Sequence, residues 1–206
     1  MDYPSLGGMT DSFTPQPGDL LFQQKDMSPI HRVISQAFRG YRGYSFNHVA
    51  LCIDEQRVVE ATTPTVQYTD ISVFLNSSSK DTYERPRVWV FRLTPAYRYL
   101  IRGAIAHAQT LLGLPYNRDF GDRKDSYYCS ELILDSFRYA NQGIPLFPET
   151  PMNFKDPATG EFFEYWVNHY RQLKKPIPHG KPGSHPSLLT LSDKLDPIHL
   201  YGELLP

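Results

Sequence analysis

The reactive groups of this chain are few: two cysteines, seven histidines and scattered carboxylates. One combination of them can do nucleophilic chemistry. Cys129 lies in SYYCSEL (126–132), where a loop gives way to helical spacing. A thiol attacks as the thiolate, and its unperturbed pKa is about 8.5. Unpaired backbone N–H groups and the dipole at a helix N-terminus favour the anion. The same N–H groups can hold the oxyanion formed when a carbonyl is attacked, although the sequence names no second donor. Such a nucleophile needs a base, and the base needs a group to orient it. His48, in NHVALCI (47–53), alternates away from Val49, Leu51 and Ile53, and RVVEAT (57–62) carries Glu60. If residues 54–56 form a three-residue turn, Ile53 faces Arg57, His48 faces Thr62, and Glu60 is the diagonal neighbour of His48. Diagonal Cβ atoms stand about 7–8 Å apart, within reach of long side chains. A slip of one residue would put the two on opposite faces.

Each of these residues also has a plain structural use. A cysteine is commonly a small buried hydrophobe, and Cys52, beside Ala50 in mid-strand, fits that use better than Cys129. A strand histidine can be a satisfied packing residue, and Glu60 a solvated carboxylate. The combination is more informative than its parts, but sequence alone does not bring Cys129 to the hairpin. His107 falls on the polar side of a helix, and His31 has no partner in view. His179, His185 and His199 lack the regular spacing of metal ligands, so no metal or other cofactor is expected. Asp19, in a Pro-Gly-Asp turn, is expected to bond backbone groups.

The elements that must position these groups follow from periodicity and punctuation. Residues 1–14 read as a polar, Gly-containing tail, and 15–206 as one domain. Leu20-Leu21-Phe22 reads as a short buried strand after the turn at 16–19. Ile30, Val33, Ile34 and Phe38 recur at helical spacing behind Ser28-Pro29, a cap followed by proline at the first helical position. The hairpin follows, and 87–93 (RVWVFRL) reads as a further strand. A helix opens at Thr94-Pro95, carries Leu100, Ile101, Ala104, Ile105, Ala108, Leu111 and Leu112, and ends at Gly113. The cysteine-bearing helix is expected over 128–140, capped by Asp125 or Ser126, with Leu132, Ile133, Phe137 and Ala140 inward. Ten of the eighteen prolines fall in 141–206, among aromatic and aliphatic residues. That composition suits an ordered wrapping segment, with one helical island at 161–172, more than a flexible linker. The polar, Ser-rich stretch 66–86 has no role legible from its residues.

Composition excludes several classes. A net charge of −1 and a pI near 6.6 leave no electrostatic footprint for nucleic acid. No apolar run approaches the roughly 20 residues that cross a bilayer, and MDYPSLGGMT has neither a basic start nor an apolar stretch. A chain that begins natively here is expected in the cytoplasm; one that has lost a leader, in the periplasm or outside the cell. Two cysteines make no disulfide scaffold. Oligomeric state is not legible.

Taken in order, PGDLLF, NHVALCID, VVEAT and YYCSELI, with LGLPYN before the cysteine and KPGSHP near the end, resemble the circularly permuted branch of the NlpC-type papain-like cysteine hydrolases, the YiiX and YebB group. The resemblance covers most of residues 15–200. It implies an α+β, papain-like fold in which a catalytic helix packs against a small antiparallel sheet and histidine precedes cysteine in the chain. By position, Cys129 matches the nucleophile, His48 the base and Glu60 the third, polar member. The resemblance implies hydrolysis of an amide or ester, in a cell-wall peptide or an acyl-lipid, through an acyl-thiol intermediate; the aromatic abundance favours a substrate with an apolar part. Two alternatives remain open: an acyltransferase using the same residues, and a non-enzymatic ligand-binding module.

Overall fold

The computed structural model describes residues 13–121 and 125–206. Residues 1–12 of the expected tail, and 122–124 of the loop before Cys129, lie outside them. In chain order the elements are β1 (Leu20–Gln23), α1 (Pro29–Ala37), β2 (His48–Cys52), β3 (Arg57–Ala61), β4 (Val66–Asp70), α2 (Ile71–Asn76), β5 (Val88–Leu93), α3 (Ile101–Thr110), α4 (Cys129–Ala140), β6 (Thr150–Pro151), α5 (Glu164–Leu173), β7 (Pro182–Gly183), α6 (Pro186–Leu189) and β8 (Leu195–Leu200). Six strands form one antiparallel sheet in the order β4-β3-β2-β1-β5-β8, and β6 pairs with β7 in a small ribbon. The architecture is α+β.

The period-two alternation of the strands sorts their side chains onto two faces, and both are covered. One face carries Leu20, Phe22, Val49, Leu51, Val59 and Phe91, which pack with Leu132, Ile133 and Phe137 of α4 and Ala104 and Ala108 of α3. The other carries Leu21, Ala50, Cys52, Val58 and Val90, closed by Ile71 and Phe74 of α2. The stretch 66–86, unreadable as sequence, therefore supplies an edge strand and the short helix that seals the second face. Gln23 anchors that helix, its Nε2 donating to the Phe74 carbonyl at 2.6 Å and to Ser78 Oγ at 2.8 Å.

The hairpin has the expected register. Leu51 faces Val59, and the Ile53 N–H donates to the Arg57 carbonyl at 3.0 Å. Asp54 builds the turn by accepting from the Gln56 and Arg57 N–H groups. Asp19 accepts from the Gln16 N–H, as expected of a turn aspartate, and also pairs with the Arg92 guanidinium through both oxygens.

Two helix caps differ from expectation. Ser28 is the N-cap of α1, but its hydroxyl meets His31 Nδ1 at 3.0 Å and no backbone N–H. The cap of α4 is Tyr128, not Asp125 or Ser126. Glu131, at the third helical position, reaches back to accept from the Tyr128 N–H at 3.2 Å. This is the return half of a capping box, and it lets the helix begin at Cys129 itself.

The C-terminal segment runs back over the domain. β8 pairs with β5 at the far edge of the sheet, and α5 packs Trp166 and Tyr170 against Val33 of α1 together with Met152 and Phe154. Ser184 then reaches the head of α4: its N–H donates to the Tyr128 hydroxyl at 3.0 Å and its Oγ to Ser130 Oγ at 3.0 Å.

Candidate active site

His48 and Glu60 meet across the hairpin. His48 Nε2 and Glu60 Oε2 are 2.5 Å apart, both side chains nearly closed to solvent. Thr69, two residues along β4 from the direct partner of Glu60, donates its hydroxyl to the other carboxylate oxygen at 2.6 Å. The carboxylate is thus held at both oxygens. Phe74 of α2 backs the imidazole, ring centroids 5.9 Å apart.

The approach of Cys129 follows from how β2 and β3 part. Since the Ile53 N–H points at β3, so do those of Leu51 and Val49. Ladder pairing is present at Leu51–Val59 and Cys52–Val58 and does not reach Val49. The Val49 N–H, freed from the ladder, hydrogen-bonds Cys129, as does the Ser130 N–H from the first turn of α4. A strand that stops pairing one step early therefore presents a backbone donor to the thiol beside His48. Among the described residues the thiol and imidazole share no hydrogen bond in this resting form.

Electrostatics separate the three groups. Burial pushes the Cys129 thiol up to about 11, opposed by the two backbone N–H groups and by the charge of Lys25. Helix N-terminal donors alone were expected to lower it, and desolvation outweighs them. Burial, and then Lys25, push His48 down against the upward pull of Glu60. Burial also pushes the Glu60 carboxyl up, but hydrogen bonds from His48 and Thr69 and nearby positive charge bring it down to about 2. The resting site is therefore a protonated thiol, a neutral imidazole and an ionised carboxylate. In that state Nε2–H donates to Glu60 and Nδ1 carries the lone pair.

Beside Cys129 lies a narrow cavity of about 50 Å³, mostly apolar, lined among others by Val33, Asn47, Tyr116, Phe120, Phe154 and Trp166. Phe120 is held at φ 47°, with its ring packed against Tyr116, Tyr128, Phe154 and Trp166. A large non-glycine residue in the left-handed region persists only where its surroundings fix it.

The structure brings Cys129, His48 and Glu60 into one cluster. The other histidines serve elsewhere. His107 joins Asp135 at 3.0 Å and stacks on Tyr139; His185 accepts from the Ser187 N–H, with its Nε2 3.0 Å from the Ile34 carbonyl; His199 stacks on Phe13. Cys52 donates to the Asp54 carbonyl at 3.1 Å. Sequence reasoning missed Lys25, Thr69 and Tyr116. Thr69 had one available signal, its place on the Glu60 face of a third strand, had 66–70 been read as one. Among the described residues, no group of three or more His, Cys, Asp or Glu side chains is placed to hold a metal ion.

A helix headed by cysteine against an antiparallel sheet, with histidine earlier in the chain than cysteine, has the plan of a papain-like hydrolase in permuted order. Residues 14–198 match the family described as permuted papain-like amidase enzyme, YaeF/YiiX, C92 family, and the chain belongs to that family. Its activity class is that of a cysteine hydrolase. Among solved structures it is similar to the crystal structure of the metalloprotein yiiX from Escherichia coli O157:H7, at 19% identity, covering 93% of this chain and 100% of that one with a TM-score of 0.70. No curated protein matches the sequence. Among the described residues no helix is long and apolar enough to cross a membrane.

Proposed function

We propose that Cys129, His48 and Glu60 form the catalytic triad of an amidase that cleaves an acyl-amide bond through an acyl-thiol intermediate. His48 Nδ1 takes the thiol proton as Sγ attacks the carbonyl carbon. The tetrahedral intermediate collapses, the C–N bond breaks, and His48 returns the proton to the leaving amine. Water then adds to the thioester; its proton goes to His48 and back to Sγ as the acid departs. Glu60 holds the Nε2–H tautomer throughout and steadies the imidazolium when it forms. Because both thiol and base rest neutral, proton transfer accompanies attack and no ion pair is stored beforehand. The Cys129 N–H, at the head of α4, is one candidate oxyanion donor, and the Tyr116 hydroxyl, on the same cavity, is another.

One observation carries this reading: the buried His48–Glu60 pair stands one residue from the backbone N–H that binds Cys129 Sγ. The narrow apolar cavity beside Cys129 supports a slender apolar group next to the scissile carbonyl, so an acyl-lipid is favoured over a bulky cell-wall peptide. The test is incubation with N-acyl amides of graded chain length, products read by mass spectrometry, alone and with added amine acceptors. Free acid is expected with the parent and none with Cys129→Ala. Turnover by Cys129→Ala would overturn the assignment, and acylated acceptor in place of acid would make the protein a transferase.

A further inference from the structure

One cation beside the site takes no step in the reaction just described. Lys25 follows β1 and is clamped to the residue before His48: the Lys25 N–H donates to Asn47 Oδ1 at 3.0 Å, and Asn47 Nδ2 donates back to the Lys25 carbonyl at 2.6 Å. The same amide nitrogen lies 3.2 Å from the His31 carbonyl and 2.8 Å from Ser35 Oγ, which ties the start of α1 to this point. Asn47 therefore sets Lys25 and His31 side by side next to the catalytic strand. Lys25 Nζ sits 6.0 Å from the centre of the Phe74 ring, the same ring that backs His48.

Both side chains are half-buried, and among the described residues both keep a donor without a hydrogen-bond partner. Among the described residues no carboxylate lies within ion-pair distance of Lys25 Nζ, and no hydrogen bond leaves it. His31 spends Nδ1 on Ser28 Oγ, and its Nε2 has no partner among the described residues. The positive charge of Lys25 is felt by Cys129, His48, Glu60 and His31 alike, so the cation looks onto the reaction centre. Glu60 is the charge that Lys25 feels most, but both oxygens of that carboxylate are taken up by His48 and Thr69, and a half-buried ammonium with no anion in contact is costly unless something negative completes it.

We propose that Lys25 and His31 form a carboxylate subsite beside His48, so that the amide cleaved by this protein bears a carboxylate close to its scissile bond, as an N-acyl amino acid or a peptide with a free C-terminus does. Lys25 Nζ supplies the charge and His31 Nε2–H a second donor, and Asn47, which clamps both segments, also lines the apolar cavity. The substrate then carries both an apolar group and an anionic group near the reacting carbonyl. This rests on the proposed roles of Cys129 and His48.

The test compares two alkylating probes of similar size that differ in charge, iodoacetate and iodoacetamide. With either, the Sγ–C bond forms, iodide leaves and the thiol proton passes to His48. Labelling rates at Cys129 are read by mass spectrometry in the parent, Lys25→Met, Lys25→Arg and His48→Ala. A charge-assisted hydrogen bond amounts to about a tenfold preference or more. The parent is expected to favour iodoacetate by about that factor over the ratio for the unfolded chain, Lys25→Arg to keep most of the preference, and Lys25→Met to lose it. If Cys129 is labelled with His48-dependent rates but the ratio is the same in the parent and Lys25→Met, the subsite is wrong and Lys25 only tunes the thiol. If labelling does not depend on His48, the catalytic assignment fails and the subsite falls with it.

Discussion

Cys129, beside β2, and Cys52, the last residue of β2, are both free thiols, and burial pushes both up, to about 11 and about 12. Depth does not distinguish them; their neighbours do. Cys52 sits among Ala50, Val58 and Phe74, donates to a carbonyl, and faces the charges of Asp19 and Asp54, which oppose a thiolate. Cys129 accepts from two backbone N–H groups, lies in the field of Lys25, and stands beside a histidine braced by a carboxylate. A cysteine becomes usable when the groups around it stabilise the charge it must develop, even where the resting thiol stays protonated.

The largest effect expected from this contrast is on the cysteines themselves. Cys129→Ala removes acyl-amide turnover outright, whereas Cys52→Ala keeps it and lowers stability by about 1 kcal/mol, the ordinary size for a small core truncation. Paired activity and thermal-melt measurements read both; loss of turnover in a folded Cys52→Ala would erase the distinction. His48→Ala comes next, with kcat/KM down by roughly 10² to 10⁴, the usual range for a positioned base.

Glu60→Gln should cost less, about tenfold, because an amide oxygen can still accept Nε2–H, as asparagine does in papain-like proteases. The same variant has a stability signature. The Glu60 pKa, held at about 2, is depressed below its unfolded value, so its contribution is present above about pH 4.3 and is lost as pH falls through 2. Acid unfolding of Glu60→Gln should lack that component. A smaller effect is expected in the pH–rate profile. His48 must be neutral to act, and burial pushes it down, so the acid limb of kcat/KM should lie below the ordinary imidazole value of about 6.5. An acid limb above that value would show that Glu60, not burial, governs His48.

What could be read from sequence divides along contact distance. The His48–Glu60 pairing was legible because a three-residue turn fixes hairpin register and the alternation of Val49, Leu51 and Ile53 names the buried face. The helix carrying Cys129 was legible from Leu132, Ile133 and Phe137, but its cap was not, since Tyr128 is an unusual cap and the signal lay in Glu131 downstream. Residues 66–86 hid a strand and a helix because their polar members, Thr69 and Ser78, turn inward to bond Glu60 and Gln23. The junction of Cys129 with the Val49 N–H and the placement of Lys25 by Asn47 join segments far apart in the chain, which no local pattern encodes.

The most direct test of the central claim is the rate of iodoacetamide labelling at Cys129 near pH 8 in the parent and in His48→Ala, with Cys52 as internal reference. Labelling of Cys129 that falls at least tenfold without His48, while Cys52 stays unlabelled in both, is the predicted result. Equal Cys129 rates in the two proteins, or labelling of Cys52 as fast as Cys129, would contradict the account and return SYYCSEL to a packing role.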